Sequence, residues 1–194
     1  MIEVEKKCLA TASFLEFLKN NANKLGESLL EDIYLDFEDL RLIKNDIWLR
    51  KRNGQYELKM PISFDDKKSD VYEEISNNKL ILEKLNLKNF DDLIELSVLI
   101  TRRQKFSIDD FQIDVDEITS PGTDFHYYMM EIELMVETSA QYNDAQEKIL
   151  EFMRNHSIKN EIVNGKIIEY FRLYRQDIFE SFKVNPHHAH RIVE

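Results

Sequence analysis

Charged and apolar residues alternate in short runs along much of this chain. In the first run, residues 3–7, Glu3, Glu5 and Lys7 fall on one side and Val4 on the other, because successive side chains of a strand point to opposite faces. The same alternation recurs at residues 47–52, 56–60, 71–75, 100–106, 113–116 and 130–134. The pattern predicts β-strands that each carry one charged or polar face.

Turn and helix signals separate these runs. Asn53-Gly54 is a strong hairpin signal, and we expect a second hairpin around Asp109-Asp110. Apolar residues at helical spacing predict helices at residues 13–25, 78–85, 91–96, 140–155 and 166–182. A sheet whose inner face is charged in strand after strand predicts a closed barrel with a polar lumen.

Length and composition narrow the class of protein. The 194 residues suit one domain, which we place at residues 1–183, with residues 184–194 as a flexible tail. No apolar run approaches the roughly 18–20 residues of a membrane span, and no signal peptide is visible. Cys8 is the only cysteine, so we expect a cytoplasmic protein, and a monomer. The net charge of −11 argues against nucleic-acid or anionic-membrane partners.

The charged faces predict a particular chemistry. Clustered carboxylates are hard oxygen ligands that suit Mg²⁺ or Mn²⁺ better than Zn²⁺, and the candidates are Glu3, Glu5, Asp114, Glu131 and Glu133. Arginine and lysine side chains bind phosphate oxygens, and those on the same predicted faces are Lys7, Arg50, Arg52, Lys59 and Arg103. Together they suit a small substrate with several linked phosphates. No Walker or GxGxxG motif is present.

Several motifs carry a family resemblance. Residues 3–7 match the ExExK motif of the CYTH superfamily, the triphosphate tunnel metalloenzymes, and residues 48–52 and 57–61 resemble the WLRxR and WELKxP segments of its thiamine triphosphatase branch. The runs at 101–103, 114–116 and 131–133 follow in the family's order, and residues 165–170 resemble that branch's closing lysine-bearing helix. The resemblance spans roughly residues 2–182.

The resemblance implies an α+β fold, a closed eight-stranded antiparallel tunnel with flanking helices, and Mg²⁺-dependent hydrolysis of a triphosphate. By this resemblance, the residues that hold the phosphates are Lys7, Arg50, Arg52, Lys59, Arg103 and Lys166. The residues that organise the metal are Glu3, Glu5, Asp114, Glu131 and Glu133, with Glu74 in support. Lys7 and Tyr34 together position or deprotonate the attacking water, a task for which a lysine needs a lowered pKa.

Trp48 bears on the choice of substrate. It shares a face with Arg50 and Arg52, and its ring suits the cationic thiazolium of thiamine, although it also fits the simpler role of a barrel-mouth aromatic. At the position of the tryptophan in the family's WELK segment, this chain has Tyr56. Because the resemblance places Trp48 in the thiamine triphosphatase position, we expect thiamine triphosphate as the substrate. The alternatives are inorganic triphosphate, a nucleoside triphosphate, an adenylate cyclase reaction of the same superfamily, and a non-catalytic polyphosphate-binding module.

Overall fold

The computed structural model describes residues 2–64, 67–183 and 193, and for residues 62–64, 67–71, 139 and 183 it describes the backbone alone. The strands are β1 (Ile2–Cys8), β2 (Asn23–Asp36), β3 (Trp48–Arg52), β4 (Gln55–Phe64), β5 (Lys67–Ile75), β6 (Ile94–Ile108), β7 (Phe111–Thr119) and β8 (His126–Val136). The helices are α1 (Ala12–Asn21), α2 (Asn78–Leu85), α3 (Tyr142–Asn155), α4 (Lys166–Tyr174) and α5 (Gln176–Lys183).

All eight strands form one antiparallel sheet in the order β1-β8-β7-β6-β2-β3-β4-β5. The expected closed barrel is corrected to an open, curled half-barrel, because no described ladder joins the edge strands β1 and β5. The curl still brings the two edges towards each other, since Lys59 and Glu74 on β4 and β5 act electrostatically on Glu3 of β1.

Apolar packing covers the back of the sheet. Val4 of β1 and Ile132 of β8 pack with Phe14 of α1 and with Ile149 and Phe152 of α3. A separate cluster joins the backs of β3 and β4 to α2. Burial of these side chains is worth about 1.5–3 kcal/mol each, which holds the alternating strands with their charged faces inward.

Helices α4 and α5 fill one end of the curl. Phe171 and Phe179 are almost completely buried against Leu99 of β6, Ile118 of β7 and Met129 of β8. These three strand residues lie on the same inward faces as the charged positions, at the end of each strand that meets the helices. The lumen is therefore apolar at the helical end and charged further along.

The hairpins form where the sequence predicts them. Asn53 and Gly54 have φ of 47° and 85° between β3 and β4, the backbone that a two-residue turn of the Asn-Gly kind requires. Asp109 has a φ of 51° between β6 and β7. The strand registers on either side of these turns place the charged residues opposite one another.

Three predicted helices differ from the structure. The helix expected at residues 13–25 ends at Asn21, and β2 begins at Asn23, since pairing with β6 offers that polar segment backbone partners. The segment 91–96 is not helical, because β6 begins at Ile94. The helix expected at 166–182 is divided at Arg175, whose side chain donates to Leu96 O (3.2 Å).

The expected flexible tail lies outside the described residues except for Val193. Asn164 holds that residue by two hydrogen bonds of 2.9 Å, one from the Val193 N–H and one to its carbonyl. Within the part of the chain that the structure describes, no helix has the length and apolar character to span a membrane.

Candidate functional site

A groove of about 620 Å³ runs along the inner face of the curl. It brings together every residue that the sequence predicts for the site. Its lining includes Glu3, Glu5, Lys7, Tyr34, Trp48, Arg50, Arg52, Lys59, Glu74, Arg103, Asp114, Glu131, Glu133 and Lys166. Strand alternation is the physical reason, because each of the strand residues among them points to the same side of the sheet.

Carboxylates crowd one wall of the groove, on β1, β7 and β8. Glu3, Glu5 and Glu133 have oxygen atoms within 4.8 Å of one another, and so do Asp114, Glu131 and Glu133. Asp114 is fully buried, and its Oδ1 accepts no hydrogen bond from any described residue. Converging carboxylate oxygens with an unsatisfied buried acceptor fit a hard divalent cation.

The crowding changes the protonation of this wall. Burial, together with neighbouring Asp114, Glu3 and Glu131, raises the pKa of Glu133 to about 8. Burial and the nearby Glu5 raise the pKa of Glu3 to about 7. Protonation of Glu133 and Glu3 lowers the repulsion between neighbouring carboxylates. A bound cation would have the same effect.

Arg103 on β6 is the cation that the acidic wall surrounds. Its guanidinium forms a fork with Asp116, with distances of 2.7 and 2.6 Å, and reaches Glu131 at 3.0 Å. A third branch donates to Asp114. The pKa of Arg103 is raised, because these carboxylates outweigh the opposing effect of burial. Arg103 thus offsets part of the negative charge of the wall.

Asp32 organises the opposite wall, on β2, β3 and α4. It is fully buried and receives a fork from Arg52, at 2.7 and 2.9 Å, and the Lys166 ammonium at 2.6 Å. Arg50 lies 3.8 Å from the same carboxylate and 2.7 Å from Glu57. Although burial alone would raise the pKa of Asp32, these cations hold it well below its usual value.

Lys7 and Tyr34 occupy different parts of the lining. Lys7 pairs with Glu5 and lies 3.7 Å from Glu131. Burial alone would lower the pKa of Lys7, but these two carboxylates outweigh it and raise the pKa above its usual value. Lys7 therefore holds its proton firmly. Tyr34 is nearly buried and lies opposite Arg50 in the β2–β3 ladder.

Glu74 belongs to neither carboxylate cluster. It is mostly exposed, and its side chain lies 3.4 Å from the Lys59 ammonium, which faces it across the β4–β5 ladder. The Lys59 ammonium also lies 5.1 Å from the centre of the Tyr72 ring. The geometry thus links Glu74 to a phosphate-binding candidate rather than directly to the metal candidates.

Trp48 lies at the helical end of the groove. Its ring is 5.5 Å from that of Phe182 on α5, and its indole N–H donates to Asp46 at 3.0 Å. One side of the indole thus packs against α5 while the residue also lines the groove. This position beside Arg50 is the one that the alternation of β3 predicts.

The structure adds charged residues that sequence reasoning missed. Lys105 lies 3.1 Å from Asp114. The sequence could have indicated this position, because Lys105 alternates with Arg103 and therefore lies on the same face of β6. Asp32 and Asp116 likewise share faces with Tyr34 and Asp114. Asp46 lies in a loop, where no periodicity marks it.

The fold and the groove define a class: a curled antiparallel sheet with facing acidic and basic walls, suited to a cation together with a polyanion. The CYTH domain model matches residues 1–162, and this chain belongs to the CYTH family. The family implies a divalent metal, and the acidic wall contains two carboxylate clusters that could hold one. No curated protein matches the chain.

Solved structures share the fold. The PH1819 protein from Pyrococcus horikoshii is 23% identical, with a TM-score of 0.62, covering 90% of this chain and 99% of its own. A candidate adenylate cyclase from Bacillus halodurans is 19% identical, with a TM-score of 0.61 and coverages of 88% and 97%. A candidate adenylyl cyclase from Hippeastrum, described as revealing a dominant triphosphatase activity, is 16% identical, with a TM-score of 0.60 and coverages of 89% and 95%.

Proposed function

We propose that this protein is a metal-dependent triphosphatase that removes the terminal phosphate of a triphosphate held in the groove. The observation that carries the proposal is the facing of a carboxylate wall and an arginine-lysine wall across one cavity. The family match and the triphosphatase activity described for the Hippeastrum protein support it. We further propose that the protein acts as a cytoplasmic monomer on a small-molecule substrate.

The basic wall binds the phosphates in this proposal. Arg50 and Arg52 present forks that suit phosphate oxygens bidentately, and Lys166 adds a point charge from α4. Lys59 and Arg103 reach the groove from the two sides. Each of these cations is also paired with a carboxylate, which holds it in place while its remaining N–H donors are directed to the phosphate oxygens.

The acidic wall holds the cation, Mg²⁺ or Mn²⁺. Glu131, Glu133 and Asp114 are the proposed ligands, with Glu3 and Glu5 beside them. Held there, a divalent cation would supply neutralisation of the charge on the transferring phosphoryl group. The chain's own contribution is to keep these oxygens converged and to hold them in place through Arg103.

Hydrolysis requires an oriented water. Water attacks the terminal phosphorus, and a new P–O bond forms as the bridging P–O bond breaks. The diphosphate leaves with the electron pair of that bond, and the proton lost by the water passes to a phosphate oxygen of the products. Because Glu5 and Glu131 raise the pKa of Lys7, we assign Lys7 to hydrogen-bond donation towards the phosphate or water rather than to proton removal. Tyr34 remains our candidate for positioning the water next to Arg50.

Thiamine triphosphate is the proposed substrate. The supporting feature is Trp48, whose side chain lines the groove beside the phosphate-binding arginines. An aromatic face attracts an organic cation by roughly 0.5–2 kcal/mol. Inorganic triphosphate offers no group for this contact, so the comparison of the two substrates isolates it.

The test is phosphate release from thiamine triphosphate, inorganic triphosphate and ATP, each with Mg²⁺ and with EDTA. We expect metal-dependent release that is fastest from thiamine triphosphate. Glu131→Gln should lower kcat by at least about 100-fold, since removing a metal ligand removes several kcal/mol of charge stabilisation. Glu137→Gln, an exposed carboxylate just beyond β8, is the matched control and should retain the rate.

The outcomes separate the alternatives. Faster release from inorganic triphosphate would keep the metal chemistry and remove the role of Trp48. Formation of cyclic AMP with diphosphate from ATP would favour a cyclase. Tight binding without any release would favour a polyphosphate-binding module and refute the proposed hydrolysis.

A further inference from the structure

Asp46 is a buried carboxylate at the helical end of the groove. It is 2% exposed and lies at the end of a short 3₁₀ turn, two residues before β3 begins. Its φ of 61° is left-handed, and its N–H donates to Ile43 O at 3.0 Å. Among residues other than glycine, Asp and Asn adopt this backbone most readily.

The Asp46 carboxylate joins two aromatic residues of the groove. Its Oδ1 accepts the indole N–H of Trp48 at 3.0 Å. The Tyr72 hydroxyl donates to the same carboxylate, 2.8 Å from Oδ2 and 3.0 Å from Oδ1. Trp48 belongs to β3 and Tyr72 to β5, with β4 between them, so this contact ties the two strands together across the lumen face.

The loop that carries Asp46 is fixed by hydrogen bonds to Asp36. Asp36, at the end of β2, is fully buried and accepts the N–H groups of Phe37 at 2.7 Å and of Leu42 and Ile43 at 3.0 Å. The loop therefore leaves β2 and enters β3 along a defined path. The position of Asp46 is thus supported by these backbone hydrogen bonds as well as by its contacts with the two aromatic rings.

We propose that Asp46 is a positioning residue that fixes Trp48 and Tyr72 as one aromatic wall for the part of the substrate beyond its phosphates. This inference rests on the proposed triphosphatase function. The Asp46 carboxylate accepts the indole N–H and so fixes the plane of the Trp48 ring, while the face of the ring stays available to contact the substrate. The orientation of the ring, rather than its presence alone, then gives the preference for an organic triphosphate.

The variant that tests this role must remove both acceptor oxygens. Two donors, the indole N–H and the phenol O–H, converge on the Asp46 carboxylate. Asparagine would keep an acceptor for the indole N–H, and its N–H₂ could donate to the Tyr72 hydroxyl, which can also accept. Asp46→Gly removes both oxygens and suits the left-handed backbone of this position, so both rings should lose their anchor.

Kinetics test the effect on the substrate. We expect Asp46→Gly to raise the KM for thiamine triphosphate by about 2- to 30-fold, the factor to which a cation–π contact of roughly 0.5–2 kcal/mol converts. The change in KM for inorganic triphosphate should be clearly smaller, because that substrate does not reach the rings. Asp39→Gly, which removes an exposed carboxylate of the same loop, is the matched control.

Fluorescence tests the positioning itself, without any substrate. Trp48 is the only tryptophan of the chain, so its emission and anisotropy report on this ring alone. In Asp46→Gly the emission should move to longer wavelength and the anisotropy should fall, because the indole N–H loses its anchor. Tyr72→Phe keeps the anchor of Trp48 and should give a smaller change in the same direction.

The results distinguish this inference from the proposed function. Unchanged Trp48 fluorescence in a folded Asp46→Gly protein overturns the positioning role, and so does an equal rise in KM for both substrates. If Asp46→Gly does not fold, Tyr72→Phe decides the question by the same ratio of KM values. A wild-type protein that releases no phosphate refutes the proposed function, and an Asp46→Gly fluorescence change in that protein would still show that Asp46 fixes the ring.

Discussion

The protonation state of each carboxyl group in this site depends mainly on the charges around it. Glu133 and Glu5 are both glutamates in one cluster. Burial and three neighbouring acids raise the pKa of Glu133 to about 8. Glu5 is buried as well, but it pairs with Lys7, and its pKa is lowered to about 2. One cluster thus contains a carboxyl that holds a proton and another that has lost it.

The raised pKa of Glu133 predicts how stability depends on pH. The folded state binds this proton more tightly than the unfolded state, whose ordinary value is 4.5. The free energy of unfolding of the metal-free protein should therefore fall as pH rises from about 4.5 to about 8, by a few kcal/mol. Glu3, also raised, acts in the same direction, whereas the lowered group Glu5 does not titrate in this window.

Urea unfolding at pH 5.5 and pH 8.5, with EDTA and with Mg²⁺, measures the effect. Mg²⁺ should restore stability mainly at pH 8.5, where the unprotonated carboxylates repel one another. Glu133→Gln should flatten the metal-free profile, with Glu137→Gln as the control. A metal-free protein that gains stability over the same range would contradict the assigned shift.

Among the structural elements, α4 is joined to the sheet by a buried ion pair. Lys166 is 8% exposed, and its ammonium contacts Asp32 at 2.6 Å and Thr101 Oγ1 at 2.9 Å. It lies in the first turn of the helix and the apolar face of α4 follows it. The pair therefore fixes the start of the helix over the groove, while the phenylalanines of the later turns provide the apolar burial.

A double-mutant cycle tests the contribution of this pair. We expect Lys166→Met and Asp32→Asn to show a coupling energy of about 1–3 kcal/mol in urea unfolding, as contacting buried charges do. The exposed pair Lys159 and Glu161, 3.2 Å apart, is the matched control and should show less than about 1 kcal/mol. A coupling near zero for Lys166 and Asp32 would mean that α4 docks by apolar contacts alone.

The elements also show what the sequence could reveal. Alternate residues of a strand lie on the same face. For this reason the sequence correctly grouped Glu3 with Glu5 and Arg50 with Arg52. It could not reveal β2 at its beginning, where residues 23–29 are exposed on both faces and pair with β6 through their backbone. The last helix is divided at Arg175, whose side chain contacts Leu96, a residue that is distant in sequence and that no local pattern indicates. Asp46 acts from a loop, where no pattern marks it.

For the whole molecule, the two free edges of the sheet are the main feature. Lys7 and Glu3 lie on β1, and Lys59 and Glu74 lie on β4 and β5 at the other side of the opening. A cation and a polyanion bound together would connect the two sides. We expect the closed barrel, predicted from the sequence, to be approached when both are bound.

Hydrogen-deuterium exchange tests this closure. Amides of β1 and β5 should exchange more slowly with Mg²⁺ and excess inorganic triphosphate together than with either alone, because new contacts would hold the edges. Amides of α2, which packs on the back of β4, should not change. Equal exchange of β1 and β5 in all conditions would show that the groove stays open during binding.

The facing of acids and bases inside the groove has a consequence for how its two occupants depend on each other. The whole chain carries −11, so a bare polyanion approaching the opening meets a field of its own sign. A cation already held by the acidic wall would weaken that field, and a bound polyanion would add oxygen ligands for the cation. We therefore expect each of the two to tighten the binding of the other by the same factor.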